Sequence, residues 1–235
     1  MIKSQSPAYR DSALNQVAGW ILRHWLLFVN VLIGVWVLTP FAAPMLLKAG
    51  LARQGQVIYA IYSTQCHQLP ERSFFLFGAN IMYPLSQIDA VRGSANILTL
   101  RNFIGNAEMG YKVAWSDRMV SLYTSFWIGG LLYALLRRRM RPLPLLLAAA
   151  LLLPIFIDGS THFISDLQGF GRGFRDTNDW LRALTNSALN PTFYAGDAWG
   201  SFNSLMRLWT GIVAGLAIAW AVFPRIDPVL THDIR

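Results

Sequence analysis

Apolar residues gather along this chain in four long runs, at residues 26–47, 119–136, 143–164 and 202–223, and polar residues collect between the runs. A helix needs about 20 residues to cross the hydrocarbon core of a bilayer. The first run is interrupted late by Pro40 and Pro44. The second holds Gly129-Gly130, and the fourth sets Gly211 and Gly215 one helical turn apart. The third is purely apolar only to Ile157, so its helix must continue through Asp158 to span. Residues 8–25 follow a different rhythm. Leu14, Val17, Ala18, Ile21, Leu22 and Trp25 share one helical face, and Arg10, Asp11, Asn15, Gln16 and Arg23 take the other. That period predicts a helix lying in the membrane interface. Residues 51–65 predict a second amphipathic helix, with Val57, Ile58, Ile61 and Tyr62 on one side. Residues 80–100 predict irregular chain with a short helix, and the Gly-, Asn- and Asp-rich residues 169–179 predict a surface loop with short helices. The expected fold class is an all-α polytopic membrane protein. It has about four transmembrane helices, an N-terminal interfacial helix, and a cap made of two long loops, about 48–118 and 158–201.

Composition agrees. Of 235 residues, 54% are hydrophobic and only 14% charged, against about 25% charged in soluble domains. The net charge of +8 could point to nucleic acid, but the basic residues form no patch interleaved with aromatics, and nucleic acid is excluded as a partner. They sit at the ends of the apolar runs, where the positive-inside rule explains them. Arg137-Arg138-Arg139-Met140-Arg141 makes a tight basic hairpin between the second and third runs and is expected in the cytoplasm. An even number of spans then puts both termini there. Lys3, Arg10 and Arg23 before the first run agree, as does Arg225 at the start of the tail, residues 224–235. The expected location is the inner (cytoplasmic) membrane with both long loops outside. The first run is too long for a signal-peptide core and is read as an uncleaved span. One cysteine excludes an internal disulfide.

Four polar clusters fall at the outer boundary of the spans, and topology allows them to form one site. They are Cys66-His67 with Glu71-Arg72, Ser116-Asp117-Arg118, Asp158 with His162, and Asn203 with Arg207. Asp158, His162 and Asp166 are spaced to share a helix face. Asp158 lies roughly 21 Å along its helix, still within the outer part of the bilayer core. Ionisable groups at such depth usually face a bundle interior. His–carboxylate at this spacing suits a metal ligand with outer-shell support, a general acid–base pair, or a self-satisfied helix-end network. Arg207 needs a carboxylate, with Asp158 or Asp117 nearest by topology. Alternatively it snorkels to the interface or holds an anionic headgroup. Arg118 reads as an interface anchor, Asp117 as a group serving the helix dipole, and Trp115 as an interfacial belt residue. Pro70 suits the first position of a helical turn.

The stretch Cys66-His67-Gln68-Leu69-Pro70-Glu71-Arg72-Ser73-Phe74 resembles the signature of an uncharacterised family of predicted membrane proteins, domain of unknown function 2085. Asp158-Gly159-Ser160-Thr161-His162 resembles its Asp-Gly-x-Thr-Gln motif, with His at the Gln position. Asn203, Arg207, Thr210 and Gly211 resemble its closing motif. The family's Cys-x-Arg-Cys, followed by a Tyr, looks like Ser116-Asp117-Arg118-Met119 with Tyr123, so both of those cysteines are absent. The resemblance implies a small polytopic membrane protein without an assigned activity. It also implies that a thiolate metal set has been exchanged here for His67, Asp117, Asp158 and His162, which suit a divalent metal such as zinc, or that the metal has been lost.

Three functions are then weighed. One is a metal-dependent or acid–base enzyme acting on a lipid or isoprenoid headgroup. The second is a binding or structural subunit of a membrane complex, in contact with the bilayer and with other membrane proteins. Its support is the aromatic load and the small-residue face of Gly211 and Gly215. The third is a transporter, disfavoured because no charged pathway crosses the midplane. The balance falls on binding or structural work, with His67 expected to face any ligand.

Overall fold

A computed structural model describes residues 13–93, 97–137, 139–169 and 171–231. Its first helix, α1 (Ala13–Arg23), covers the later part of the expected interfacial helix, with Val17, Trp20 and Ile21 exposed. Lys3, Arg10, Asp11 and Arg138 lie outside the described residues. α2 (Trp25–Lys48) runs straight through Pro40 and Pro44. α3 (Ala52–Tyr62) folds back on it, with Gly55 against Leu47 and the backbone of Ala43. The buried side of α3 is Gly55, Tyr59 and Tyr62, while Val57 and Ile61 are exposed. The expected grouping of Val57, Ile58, Ile61 and Tyr62 is therefore corrected. The tyrosines turn inward because their hydroxyls find backbone acceptors, Tyr59 at Lys112 O and Tyr62 at Trp36 O, 2.7 Å away.

The cap contains a sheet as well as helices. β1 (Ser73–Leu76) is followed by α4 (Leu85–Arg92), α5 (Ile97–Arg101), β2 (Gly105–Asn106) and β3 (Gly110–Ser116). Strand order is β1-β3-β2 with both pairs antiparallel, and Ser73 lies opposite Ser116 and Phe75 opposite Lys112. This sheet is added to the helical plan read from the sequence. β3 is covered on both faces, so it shows no polar–apolar alternation. Val113, Ala114, Trp115 and even Lys112 are buried. The Lys112 ammonium donates to Gln68 O at 2.6 Å and Arg101 O at 2.8 Å. Trp115, expected in an interfacial belt, instead stacks on Tyr123 at 4.8 Å and meets Tyr62 edge-on.

β3 leads directly into α6 (Asp117–Leu136). The chain returns as α7 (Leu145–Asp166), crosses the cap through α8 (Phe174–Thr177) and α9 (Asp179–Leu184), and ends in α10 (Phe202–Thr231). α2, α6, α7 and α10 are each long and apolar enough to cross a membrane. α6 and α10 lie side by side and point the same way. Gly211 and Gly215 press on Ser121 and Ser125, so closely that a Cβ at either glycine would stand 2.0 Å from a serine hydroxyl. The small-residue face expected to support association with other proteins is thus used inside this chain. At the end opposite the cap, the Asp227 carboxylate accepts from Trp25 Nε1 at 3.0 Å, Tyr133 OH at 2.9 Å and the Arg137 guanidinium, tying three spans together.

Candidate functional site

Where the cap meets α6, α7 and α10, four arginines and four aspartates form a network. Asp117, at the first turn of α6, accepts from Arg207 Nε at 2.8 and 2.9 Å and from the Arg118 backbone N–H at 2.7 Å. Asp158, on α7, takes Arg118 Nη2 on one oxygen and Arg175 Nη2 on the other, each at 2.7 Å. Asp166, at the end of α7, receives a two-pronged bond from Arg72 at 2.8 and 2.6 Å. Asp197, in the loop before α10, joins the halves by accepting from Arg72 Nε at 2.8 Å and from Arg207 Nη1. Asn203 donates to Arg175 O at 2.6 Å, and Phe202 stacks under the Arg175 guanidinium at 5.3 Å. Bidentate guanidinium–carboxylate geometry at these distances is strong and directional.

Local structure places these groups. Pro70–Arg72 forms one 3₁₀ turn with Pro70 at its first position. Gln68 precedes it in the left-handed region at φ 52, a conformation costly for a side-chain-bearing residue. The strain is held because Gln68 Nε2 donates to Tyr59 O and Ala114 O, each at 2.9 Å, while its carbonyl accepts from Lys112. Arg72 therefore projects from a turn fixed at several points.

Charge in the cap follows from burial and pairing. Burial alone would raise the Asp197 carboxyl, but Arg207 and Arg72 hold it well below the usual carboxylate range. Glu71 has no such help. Burial pushes it up to about 7, against the attraction of Arg72. Neither of its carboxylate oxygens has a hydrogen-bond partner among the described residues. Burial also lowers Arg175, against the pull of Asp158.

A cavity of about 330 Å³ opens beneath the Gln65–Leu69 stretch, between α6, α7 and α10. Its polar wall is Arg72, Arg118, Arg207 and Asp166, and its apolar wall is Leu69, Met119, Phe163 and Leu167. Cys66 lines it half-buried and His67 lines it from an exposed position. Arg207 is 2% exposed, yet its Nη2 is unbonded among the described residues, as are the buried Nε atoms of Arg118 and Arg175.

The structure sorts the residues singled out in the sequence. Arg207 pairs with Asp117, one of its two expected partners, and with Asp197, which the sequence did not suggest. Arg118 is an ion-pair partner of Asp158 rather than an interface anchor, and Asp117 binds a guanidinium rather than only serving the helix dipole. The reading of His67, Asp117, Asp158 and His162 as a ligand set for a divalent metal such as zinc meets a different geometry. No three His, Cys, Asp or Glu side chains are grouped to hold a metal among the described residues. Both Asp158 oxygens are occupied by guanidiniums, and His162 Nε2 stands 3.8 Å from Asp158 with Arg175 Nη2 nearer, at 3.0 Å. That is not an acid–base pair in hydrogen-bond contact. Asp197 and Arg175 were missed because both lie in the Gly-, Asn- and Asp-containing stretch between α7 and α10, Arg175 on the short α8, and that composition reads as solvated surface. Asp197 bridges Arg72 and Arg207, whose other partners are Asp166 and Asp117.

Comparison with known proteins supplies a family. A family model described as predicted membrane protein (DUF2085) matches residues 101–221. The uncharacterized protein MJ1492 of Methanocaldococcus jannaschii is 27% identical over 131 residues, 54% of this chain and 58% of that relative's length. No solved structure matches the chain.

Proposed function

The chain belongs to the DUF2085 family of predicted membrane proteins, and on that premise we propose that it is a non-catalytic binding protein with its binding cavity on the extracytoplasmic side of the inner membrane. One observation carries the reading. Three arginines from separate parts of the chain line one cavity, and each is held by a carboxylate. Such a wall is preorganised, so little side-chain ordering opposes a ligand. Binding is favoured over catalysis because the four aspartates of the network are already engaged: Asp117, Asp158, Asp166 and Asp197 all accept from guanidiniums. The orientation rests on Arg137, Arg139 and Arg141 at the turn between α6 and α7.

Native mass spectrometry of the chain, purified in mild detergent, tests this. The reading predicts a retained small-molecule adduct that disappears in Met119→Trp, which fills the cavity from within, and in Leu167→Trp, which blocks its rim. No adduct on the unmodified chain, or one unaffected in both variants, would contradict it.

A further inference from the structure

A second cavity, of about 440 Å³, lies in the cap between α3 and the end of α5. Among the described residues it shares Gln68 with the cavity above, and none of that cavity's arginines. Its own arginine is Arg101, which is held differently from the arginines of the network. Arg72, Arg118, Arg175 and Arg207 each bond a carboxylate. Arg101 makes one side-chain hydrogen bond among the described residues, from Nη2 to Ser63 O at 2.6 Å, and meets no carboxylate there. The side chain is half-buried. Its Nε and Nη1 have no hydrogen-bond partner among the described residues, yet both keep accessible surface. A guanidinium presents its five N–H groups in a rigid fork geometry with two double-pronged edges. A single bond from Nη2 uses one prong of one edge, so the other edge stays whole.

The rest of the wall suits an anion. None of the described lining residues is acidic. The Lys112 ammonium donates to the carbonyls of two of them, Arg101 at 2.8 Å and Gln68 at 2.6 Å, which brings a second positive charge to the same wall. Gln56 and Asn102 are exposed, and their amides donate as well as accept. Ala60 and Ile104 are the only purely apolar side chains among the described lining residues. Such a wall fits a polar solute rather than an alkyl chain. The volume falls within the range of small-molecule sites, about 300–1,000 Å³.

We infer that this cavity is a second site, which takes a small polar oxyanion, a phosphate or a carboxylate, on the unused edge of Arg101. Two oxygens of either anion match the two prongs of one guanidinium edge. The amides of Gln56 and Asn102 hydrogen-bond the rest of the solute. The site stands apart from the binding function proposed for the first cavity, because the two share no charged residue among those described.

The test is the thermal unfolding midpoint of the full chain in a neutral detergent, titrated with inorganic phosphate, sodium acetate, or sodium chloride at matched ionic strength. Phosphate, acetate or both should raise the midpoint saturably and beyond chloride, and the more effective anion separates the phosphate from the carboxylate. Arg101→Gln should weaken that response at least about tenfold, because it removes a charge-assisted pair of bonds. It also removes the bond to Ser63 O, so the response is read from the half-saturating concentration and not from the unliganded midpoint. Ala60→Trp, at an exposed position of the lining, fills the cavity and should abolish the response with Arg101 still in place. Met119→Trp fills the first cavity and should leave the response intact. A rise no greater than that with chloride, or one unchanged in both Arg101→Gln and Ala60→Trp, is general salt stabilisation and would overturn the site. A response lost in Met119→Trp but kept in Ala60→Trp would place the anion in the first cavity; it would overturn the second site and leave the first binding function standing.

Discussion

Glu71 lies in the polar cap beside the arginine–aspartate network, and no guanidinium is bonded to it among the described residues. Its carboxylate is buried, 2% exposed, with neither oxygen bonded among the described residues. Burial raises it from an ordinary value of 4.5 to about 7. Below 4.5 the folded and unfolded chains both carry the proton, and Glu71 contributes no pH dependence. Between 4.5 and 7 the unfolded chain releases its proton while the folded chain keeps it, so stability falls as pH rises. The loss reaches about 3 kcal/mol and is complete above pH 7. Glu71→Gln should remove this component. Unfolding midpoints of the two proteins, followed from pH 4.5 to 7.5, should therefore diverge in favour of the variant as pH rises; parallel profiles would contradict the burial argument. Residue by residue, the site was partly legible. Arg207 and Asp117 were readable because an intramembrane arginine demands a carboxylate. Asp197 and Arg175 were not, because the chain folds loop residues inward to satisfy a demand that local composition does not reveal.

The register between α6 and α10 is set by small residues. Gly215 faces Ser125 and the Leu122 carbonyl, where a Cβ would approach to 2.0 and 2.3 Å. Gly215→Leu must push the helices apart, and overpacking of this kind costs about 1–3 kcal/mol or more. Gly19 on α1 has nothing within 4 Å of its Cβ position, so Gly19→Ala should be neutral or stabilising by up to about 1 kcal/mol. Chemical denaturation of both variants in detergent checks the pair. A Gly215→Leu protein as stable as the Gly19→Ala protein would mean that the helices are not packed as described. The pattern of small residues was visible in the sequence, but its partner was not, since a small-residue face serves contacts within a chain and between chains equally well. β3 was hidden for another reason. Strands announce themselves by alternation, and β3 is covered on both sides, with Lys112 buried beside Val113.

At the scale of the molecule, the four spans were the most legible feature because hydrophobic length is a direct physical requirement of the bilayer. The cap was the least, because its stability comes from contacts between distant segments: Arg72 with Asp166 and Asp197, and Gln68 with Tyr59 and Ala114. The proposed orientation puts residue 65 outside and residue 139 in the cytoplasm. On a Cys66→Ser background, Gln65→Cys should react with a membrane-impermeant maleimide in intact spheroplasts and Arg139→Cys should react only after lysis. The reverse pattern would invert the topology. The proposed binding function is tested most directly by photolabelling with a diazirine-bearing alkyl phosphate in detergent, followed by mapping of the labelled peptides. Labelling at the cavity lining around Met119, Phe163 and Leu167, displaced by excess unlabelled alkyl phosphate, is the predicted result. Label spread over the exposed faces of α2 and α7 without competition would contradict the account.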